Sequence, residues 1–299
     1  MKLRNTRVAT AAVMAMLALA ACSGGGGADQ APSAQPSSQD KPTFEAGTTM
    51  AKLSEAGTMT VGTKFDQPLF GLKGLDGVLT GFDVEIAKIV AGQLGIPDDK
   101  VEFVETTSAV REEAIISGKA DIVVATYFIT DERKKRVTFA GPYYIAQTNL
   151  MVKSDNDKIT NIDSIKDPSI KVCSAAGAGQ NPLVSSYMTD PGKQLVLFDV
   201  YSKCGDALRT GQVDAVVSDS TVLLGLVVKS DGNFKIVGDS YQDQPFGIGV
   251  KKDDVAFCEF INDTLTQAYD DGRYQKAWDA TVGPYLSEVP PLPDFEGCE

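Results

Sequence analysis

The chain alternates short apolar runs with longer runs in which apolar residues recur every three or four positions. FDVEIAKIVAGQLG is predicted to be an amphipathic helix because Val84, Ile86, Ile89, Val90 and Leu94 share one face. A second helix is predicted for SAVREEAIISGK. Strands are predicted for MTVGT, VEFVE, DIVVAT, IKVCS, LVLFD and VDAVVSD. This alternation is typical of an α/β fold with mainly parallel sheets.

Two segments of the chain resemble each other. SGKADIVVATYF (117–128) and TGQVDAVVSDST (210–221) share the pattern Ser/Thr-Gly-x-x-Asp-x-Val-Val. The match favours two similar lobes, although helix–Gly–strand joints are common in α/β proteins and chance is the alternative. Ligands of open α/β sheets bind beyond the carboxyl ends of the strands. We therefore expect a cleft between residues 125–128 of one lobe and 218–220 of the other.

The chain is predicted to cross between the lobes twice. GPYYIAQTNLMV and QPFGIGVKK each have the pattern of a loop that becomes a strand. Lobe 1 is then residues 50–146 plus 246–299, and lobe 2 is residues 147–245.

The N-terminal residues have the features of an export signal. The positive segment MKLRNTR precedes an apolar run that is short for a membrane span and ends at LAAC (19–22), which has the form of a lipobox. An ordinary secretory signal that ends in Cys is the alternative. We expect a lipoprotein signal peptide over 1–21 and a lipid anchor on Cys22 at the extracellular face of the cell membrane. Residues 22–49, rich in Gly, Ser, Pro and Gln, are expected to form a flexible tether.

Four cysteines follow Cys22, and an even number in an exported chain suggests two disulfides with three possible pairings. The division of the chain into lobes favours Cys173–Cys204 within lobe 2 and Cys258–Cys298 within lobe 1.

Composition argues against several kinds of function. The formal net charge of −12 argues against nucleic acid and anionic lipid as partners. The chain has no histidine and no Cys-x-x-Cys spacing, so the commonest general base and the common zinc ligand patterns are missing. We expect no metal, no cofactor and no enzymatic activity.

Several longer motifs resemble the polar amino-acid-binding proteins of bacterial ABC importers, which form solute-binding protein family 3. The motifs follow the family order over nearly all of 55–285: VGTKFDQPLFG, GVLTGFDVEIAKIVAGQLGI, SGKADIVVATYFITDERKKRVTFAGPYY and SYQDQPFGIGVKKDD. The similarity is greatest to the glutamate-binding lipoprotein type of actinobacteria. It implies a type II periplasmic-binding-protein-like fold, in which two lobes joined by two hinge strands close on one amino acid.

The resemblance also implies the roles of four residues. Arg133, in the T-x-x-R step, would pair with the α-carboxylate of the ligand, which a planar guanidinium can grip with two hydrogen bonds. Asp219 would pair with the α-ammonium group. Thr126 occupies a strand-end position that touches the ligand, and Tyr127 follows it as in the glutamate type.

Two further cations are candidates for reading the ligand side chain. The resemblance implies that Arg111 faces a distal carboxylate; the alternative is an exposed helix arginine paired with Glu112 or Glu113. Lys64 is the second candidate, with a solvated loop lysine as its alternative.

The sequence departs from the family pattern at two positions. Phe128 and Ala178 stand where the family usually has a hydroxyl residue. Gly177 and Gly179 are expected to offer backbone N–H groups at a helix start. Phe128 would stack on the aliphatic part of the ligand or pack in the core. The missing hydroxyls are compatible with weaker binding, with a different acidic ligand, or with water in their place.

The function expected from these features is capture of an amino acid and delivery to an ABC permease and its ATPase by a lipid-anchored monomer. Glutamate is the first expectation; aspartate, glutamine and asparagine are the alternatives. A sensor that signals to a membrane kinase is the competing interpretation. An enzyme such as a dehydratase is disfavoured because no nucleophile–base pair is evident. In the charged run DERKKR, residues 131 and 132 are predicted to start a helix and residues 134–136 to form a solvated turn.

Overall fold

The computed structural model describes residues 42–298. The predicted signal peptide, Cys22 and most of the predicted tether lie outside the described residues. The first described helix starts at Thr49, next to Met50, where folded structure was predicted to begin. Ahead of it, the ring of Phe44 packs edge-on against Phe260 at 5.5 Å. None of the helices found between residues 42 and 298 has the length and apolar character needed to cross a membrane.

The described residues form twelve strands and ten α-helices. The strands are β1 Met59–Thr63, β2 Asp66–Gln67, β3 Gly71–Lys73, β4 Leu79–Thr80, β5 Val101–Glu105, β6 Ile122–Val123, β7 Val137–Lys153, β8 Val172–Ala175, β9 Leu195–Phe198, β10 Ala215–Asp219, β11 Phe234–Val237 and β12 Asp243–Lys251. The helices are α1 Thr49–Ala56, α2 Phe82–Gln93, α3 Arg111–Ile116, α4 Asp131–Lys134, α5 Asn181–Tyr187, α6 Pro191–Gln194, α7 Tyr201–Thr210, α8 Ser220–Lys229, α9 Val255–Asp270 and α10 Arg273–Thr281.

The main sheet has the order β5-β1-β6-β12-β7-β10-β8-β9, and β11 also pairs with β7. In one part of the sheet β1 is parallel to β5 and β6, and in the other β8 is parallel to β9 and β10. The 17-residue β7 pairs with β12 through its first part and with β10 and β11 through its last part. β7 and β12 are therefore the two strands that join the lobes, and the predicted two-lobed α/β fold is confirmed.

The first crossing differs from its prediction. No loop precedes the strand in GPYYIAQTNLMV, because β7 is already paired with β12 from Val137↔Lys251 to Gln147↔Asp243. The second segment, QPFGIGVKK, likewise lies in a strand, since β12 runs from Asp243 to Lys251. Both crossings are thus extended strands, and their mutual pairing satisfies the backbone on the way from one lobe to the other.

The apolar cores divide in the same way as the sheet. One set of core residues, built around Phe82, Tyr143 and Trp278, comes from residues 44–146 and 246–298. The other set comes from residues 150–241. The two sets lie on either side of the lobe boundaries predicted from the sequence, and those boundaries stay a prediction.

Local structure follows the hydrophobic pattern where the pattern is long. In α2 the predicted apolar face is buried, with Ile89 only partly so. The second predicted helix is shorter than expected, because α3 begins only at Arg111, after a turn at residues 108–110. Strand β6 ends at Val123, and Thr126 three residues later has the left-handed φ of 44°. The chain leaves the sheet at the place where the cleft was predicted.

Both favoured disulfides are present, with Cα–Cα distances of 5.5 Å for Cys173–Cys204 and 5.8 Å for Cys258–Cys298. The first joins β8 to α7, and the second joins α9 to the C-terminal segment. Each bond lies within one of the proposed lobes.

Candidate functional site

Polar side chains are buried where the strands of the two lobes end. Such burial is uncommon for charged groups unless they are paired or functional. From the β1, α3 and β6–α4 segments come Thr63, Lys64, Ser108, Arg111, Glu112, Thr126 and Arg133, and from the β8, α7 and β10 segments come Ser174, Tyr201, Ser218 and Asp219.

Arg133 lies in α4, whose N-cap Thr130 accepts a hydrogen bond from the Arg133 N–H at 3.3 Å. Only 8% of Arg133 is exposed. Its Nε pairs with Glu112 at 3.1 Å, Nη1 donates to the Phe128 carbonyl at 2.6 Å and Nη2 donates to the Gly177 carbonyl at 2.8 Å. Burial and then the charge of Arg111 lower the pKa of Arg133 to about 10, so the guanidinium is cationic at neutral pH. Arg133 thus reaches from one lobe to the other.

The neighbours of Arg133 in the charged run differ from it. Lys135 pairs with Glu132 at 2.5 Å and Arg136 pairs with Glu113 at 3.4 Å, and both cations are at least half exposed, as predicted for a solvated turn. Lys134 is less exposed because it pairs with Glu296 of the C-terminal segment. That partner is remote in sequence, so the local pattern could not indicate it.

Arg111 is buried, with 2% of its surface exposed, so the alternative of an exposed helix arginine is wrong. Its Nη1 donates to the carbonyls of Ala125 and Thr126 at 2.8 and 3.1 Å. Its guanidinium carbon lies 4.3 Å from the ring centre of Tyr127. Its Nε has no hydrogen-bond partner among residues 42–298. An unpaired donor on a buried cation is costly and indicates a group kept for a ligand.

Lys64 is also buried, so the alternative of a solvated loop lysine is wrong. Its Nζ donates to Ser108 Oγ at 2.9 Å. Burial, followed by the positive charge of Arg111, lowers the pKa of Lys64 well below its ordinary value. A carboxylate entering the site would favour the charged form of this lysine.

Asp219 ends β10 and caps α8. Its Oδ1 accepts hydrogen bonds from Thr221 Oγ1 at 2.6 Å and from the Val222 N–H at 2.9 Å. Burial raises the pKa of Asp219, and these two hydrogen bonds oppose the rise. The carboxylate is therefore fixed in direction, which suits a group that must meet a cation.

Thr126 is held from two sides by residues that sequence reasoning missed. Its N–H donates to Asp83 Oδ2 at 2.7 Å, and its hydroxyl donates to Gln67 Oε1 at 3.0 Å. Asp83 Oδ1 accepts in turn from the hydroxyl of Tyr143 on β7 at 2.6 Å. Asp83 could have been noticed as a carboxylate between Phe82 and Val84, two apolar residues of the first turn of α2. The Asp83 carboxylate connects a hinge strand to the strand-end segment of the site.

Phe128 and the glycine loop form the place where the lobes touch. A Cβ added to Gly179 would lie 2.6 Å from Phe128 Cδ1 and 3.2 Å from Arg133 Nη1. One added to Gly177, whose φ is 77°, would lie 2.7 Å from the Ala109 Cα atom. Both positions therefore require glycine for close approach, and Phe128 packs across the cleft rather than deep in one core.

The predicted use of this loop needs a correction. Helix α5 begins only at Asn181, so Gly177 and Gly179 precede the helix and do not form its first turn. Gly177 presents its carbonyl to Arg133, and the N–H of Ala178 bonds to the Ala175 carbonyl at 3.1 Å. The loop turns its carbonyl toward the site because the opposing group is a cation.

Tyr127 is fully buried and lies behind the arginines. Its ring centre is 4.3 Å from the guanidinium of Arg111 and 5.3 Å from that of Arg133, and it meets Phe139 edge-on at 4.6 Å. Cation–π contacts of this kind hold both guanidinium groups in place.

The hydroxyl of Tyr201 in lobe 2 was also missed, and Ser218 was predicted at the cleft but without a role. Tyr201 Oη accepts from Gln180 Nε2 at 2.7 Å and lies 3.3 Å from Ser174 Oγ. Ser218 Oγ and, on lobe 1, Thr63 Oγ1 are buried without a partner in the part of the chain that the structure describes. Their strand-end positions were the available signal. The site therefore contains three basic side chains, Lys64, Arg111 and Arg133, and the two carboxylates of Glu112 and Asp219. Together with the unpartnered hydroxyls, this set suits an anionic ligand that also carries an ammonium group.

Asp83 leads to a prediction on pH. Burial raises the pKa of Asp83 to about 7, so the folded protein retains this proton over a range in which the unfolded chain has lost it. Because the folded pKa is the higher one, the contribution to stability is complete below pH 4 and is lost as pH rises through 7. We expect wild-type stability to fall by on the order of 2–4 kcal/mol more than that of Asp83→Asn between pH 4 and 8.

Denaturant unfolding of both proteins across this range measures the difference. Parallel curves for the two proteins would contradict the raised pKa. Asp121→Asn, which replaces the carboxylate that accepts from the Thr60 N–H by an amide, is the matched control.

Comparisons with known proteins add to this geometry. The profile of the bacterial extracellular solute-binding proteins, family 3, matches residues 59–281. Glutamate-binding protein GluB of Corynebacterium efficiens is 36% identical over 248 residues, which are 80% of this chain and 83% of that protein. The structure of an ancestral arginine-binding protein bound to glutamine has a TM-score of 0.70 and 36% identity, covering 76% of this chain and 98% of that one. The ancestral amino acid-binding protein AncCDT-1, a precursor of cyclohexadienyl dehydratase, has a TM-score of 0.71 and 32% identity, covering 78% and 99%.

Proposed function

Because the chain belongs to the bacterial extracellular solute-binding proteins of family 3, we propose that it captures one amino acid, glutamate, and delivers it to an ABC permease and its ATPase. The observation that carries the proposal is the buried set of Lys64, Arg111 and Arg133 on lobe 1, with Asp219 on lobe 2. Aspartate, glutamine and asparagine remain the alternative ligands. The family and the relative GluB are binding proteins, which supports a binding function without catalysis.

In this proposal Arg133 binds the α-carboxylate and Asp219 binds the α-ammonium group. The Nη1 and Nη2 atoms of Arg133 now bond to backbone carbonyls, and a carboxylate is the stronger partner for both. Glu112 holds Nε and thereby aims the other two nitrogens. Tyr127 supports the same guanidinium from behind.

The distal carboxylate is assigned to Arg111 and Lys64. The unpartnered Nε of Arg111 supports this assignment, as does the lowered pKa of Lys64, which an added anion would relieve. The Phe128 ring, pressed against Gly179, offers an apolar surface to the aliphatic part of the ligand. Ser218 and Thr63 offer hydroxyls in place of those missing at positions 128 and 178.

Binding acts through closure of the lobes. Ligand groups shared between Arg133 and Asp219 stabilise the closed arrangement, which the hinge strands β7 and β12 permit. The proposal includes lobe boundaries near residues 146 and 246, a lipid anchor at Cys22 on the extracellular face, and a monomer. A sensor that reports closure to a membrane kinase is the alternative use of the same fold.

A thermal-shift panel of the twenty amino acids tests the proposed ligand. We expect glutamate to raise the melting temperature most, because a ligand that binds only the folded protein stabilises it more the more tightly it binds at a given concentration. A panel in which a basic or apolar amino acid stabilises the protein, and glutamate, aspartate and their amides do not, would disprove the assignment.

The side-chain assignment is tested by the same panel with Arg111→Gln. The shift caused by glutamate should decrease by more than the shift caused by glutamine, because only glutamate has the distal carboxylate that the Arg111 cation is proposed to bind. Arg209→Gln, which alters an exposed arginine paired with Asp206, is the matched control.

A further inference from the structure

Helix α7 of lobe 2 is capped by a residue of lobe 1. The helix begins at Tyr201. Its N-cap residue, Val200, has an apolar side chain that cannot accept a hydrogen bond from the N–H groups of the first turn. The N–H of Ser202 instead donates to Asp66 Oδ2 at 3.0 Å. A carboxylate at the first turn satisfies an otherwise free N–H and interacts favourably with the helix dipole. The cap comes from a residue more than a hundred positions earlier in the chain.

Asp66 is held in place by its own lobe. It belongs to β2, where it pairs with Leu72 of β3, and the Lys73 N–H donates to the Phe65 carbonyl at 2.9 Å. The next residue, Gln67, is buried and accepts the hydroxyl of Thr126 at 3.0 Å. The segment that reaches α7 is therefore fastened to the strand-end segment of the ligand site.

A second contact beside Asp66 requires the same approach of the two lobes. Gly225 on α8 lies against Pro68, and a Cβ at Gly225 would be 2.4 Å from the Pro68 carbonyl oxygen. A larger residue cannot be accommodated without moving the helix away. Residues 66–68 thus touch two helices of lobe 2 at their closest approach.

We propose that Asp66 is a positioning residue for ligand capture, which caps α7 when the lobes close and so sets the affinity for every ligand without selecting among them. The inference rests on the proposed amino-acid binding. Because Asp66 and Ser202 belong to different lobes, their hydrogen bond forms only when the lobes are together. Its free energy adds to the closed, liganded arrangement and not to the folding of either lobe.

Calorimetric titration of Asp66→Ala tests the proposal. We expect about 10-fold weaker binding of glutamate, the size of effect that loss of one helix cap produces. Binding of glutamine and of aspartate should weaken by the same factor. The melting temperature of ligand-free Asp66→Ala should equal that of the ligand-free wild-type protein. Asp66→Asn should bind almost as wild type does, because an amide oxygen is also a good cap. Gly225→Ala should also weaken the binding of every ligand, because its Cβ would hold α8 away from Pro68.

Two controls isolate the contact. Asp199→Ala removes an exposed carboxylate near the start of the same helix, paired with Lys203 within lobe 2, and should leave affinity unchanged. Gly205→Ala changes a glycine of α7 whose added Cβ would lie 3.6 Å from Leu226 Cδ2, an ordinary van der Waals contact. This variant should also bind ligands normally.

Other results would overturn the inference. Wild-type affinity in Asp66→Ala would show that the cap does not contribute to capture. An Asn variant as weak as the Ala variant would assign the effect to the charge of Asp66, which opposes the lowering of the Lys64 pKa by burial and by Arg111. If Asp66→Ala destabilises the ligand-free protein by as much as it weakens ligand binding, Asp66 has a structural role alone. Failure of wild-type protein to bind any amino acid would instead refute the proposed function.

Discussion

Arg133→Ala is expected to weaken glutamate binding by a factor of roughly 150 to 4,000, the equivalent of about 3–5 kcal/mol. The variant removes the partner of the α-carboxylate and leaves Glu112 buried without its cation at 3.1 Å. The stranded Glu112 carboxylate should also lower the melting temperature of the ligand-free protein. Isothermal titration calorimetry measures the first effect, and scanning calorimetry measures the second.

Two further variants show whether the loss of binding is specific to the Arg133 guanidinium. Arg136→Ala alters a half-exposed arginine three residues away, paired with Glu113 at 3.4 Å, and should bind glutamate normally. Arg133→Lys keeps the charge but loses the planar fork that bonds to two carbonyls and Glu112, so it should not restore affinity. Wild-type affinity in Arg133→Ala would remove this residue from the site.

Asp219→Asn is expected to weaken binding by a similar factor while the protein stays as stable as wild type. The amide keeps an oxygen for the Thr221 hydroxyl and the Val222 N–H, so the cap of α8 survives. Only the negative charge that meets the ligand ammonium is lost. Titration with glutamate and a melting curve without ligand measure the two properties separately.

Asp254→Asn is the matched control, because Asp254 caps α9 in lobe 1 in the same way, through the Phe257 N–H. It should leave affinity unchanged. If Asp219→Asn binds glutamate as tightly as wild type, the ammonium group is held elsewhere and the ligand orientation proposed here is incorrect.

Much of the fold follows from the sequence because its signals are local. Strand–helix alternation and the order of the motifs indicate two α/β lobes, and strand ends indicate where the site lies. The length of β7 was not predictable in this way, because Gly141 and Pro142 have the appearance of a loop. β7 continues through them because the residues on either side, Ala140 and Tyr144, pair with Ile248 and Phe246 of β12, more than a hundred residues later.

The site was predictable in its residue types and less so in its contacts. Burial separates Arg111 and Lys64 from ordinary surface cations, and burial is decided by segments distant in sequence. The partner of Glu112 also depends on distant segments. Its position in α3 suggests a partner on the same helix, but it pairs with Arg133 of α4. Ser218 lies at a strand end that the sequence places at the cleft, whereas Tyr201 could be found only when α7 and β8 were placed side by side.

Titration of the wild-type protein with L-glutamate, beside glutarate, shows whether the site binds an amino acid or only a dicarboxylate. Glutarate has both carboxylates and lacks the ammonium group that Asp219 is proposed to bind. We expect saturable binding of one glutamate per chain and at least about 100-fold weaker binding of glutarate. Equal affinity for the two compounds, or no heat with glutamate while a basic or apolar amino acid binds, would contradict it.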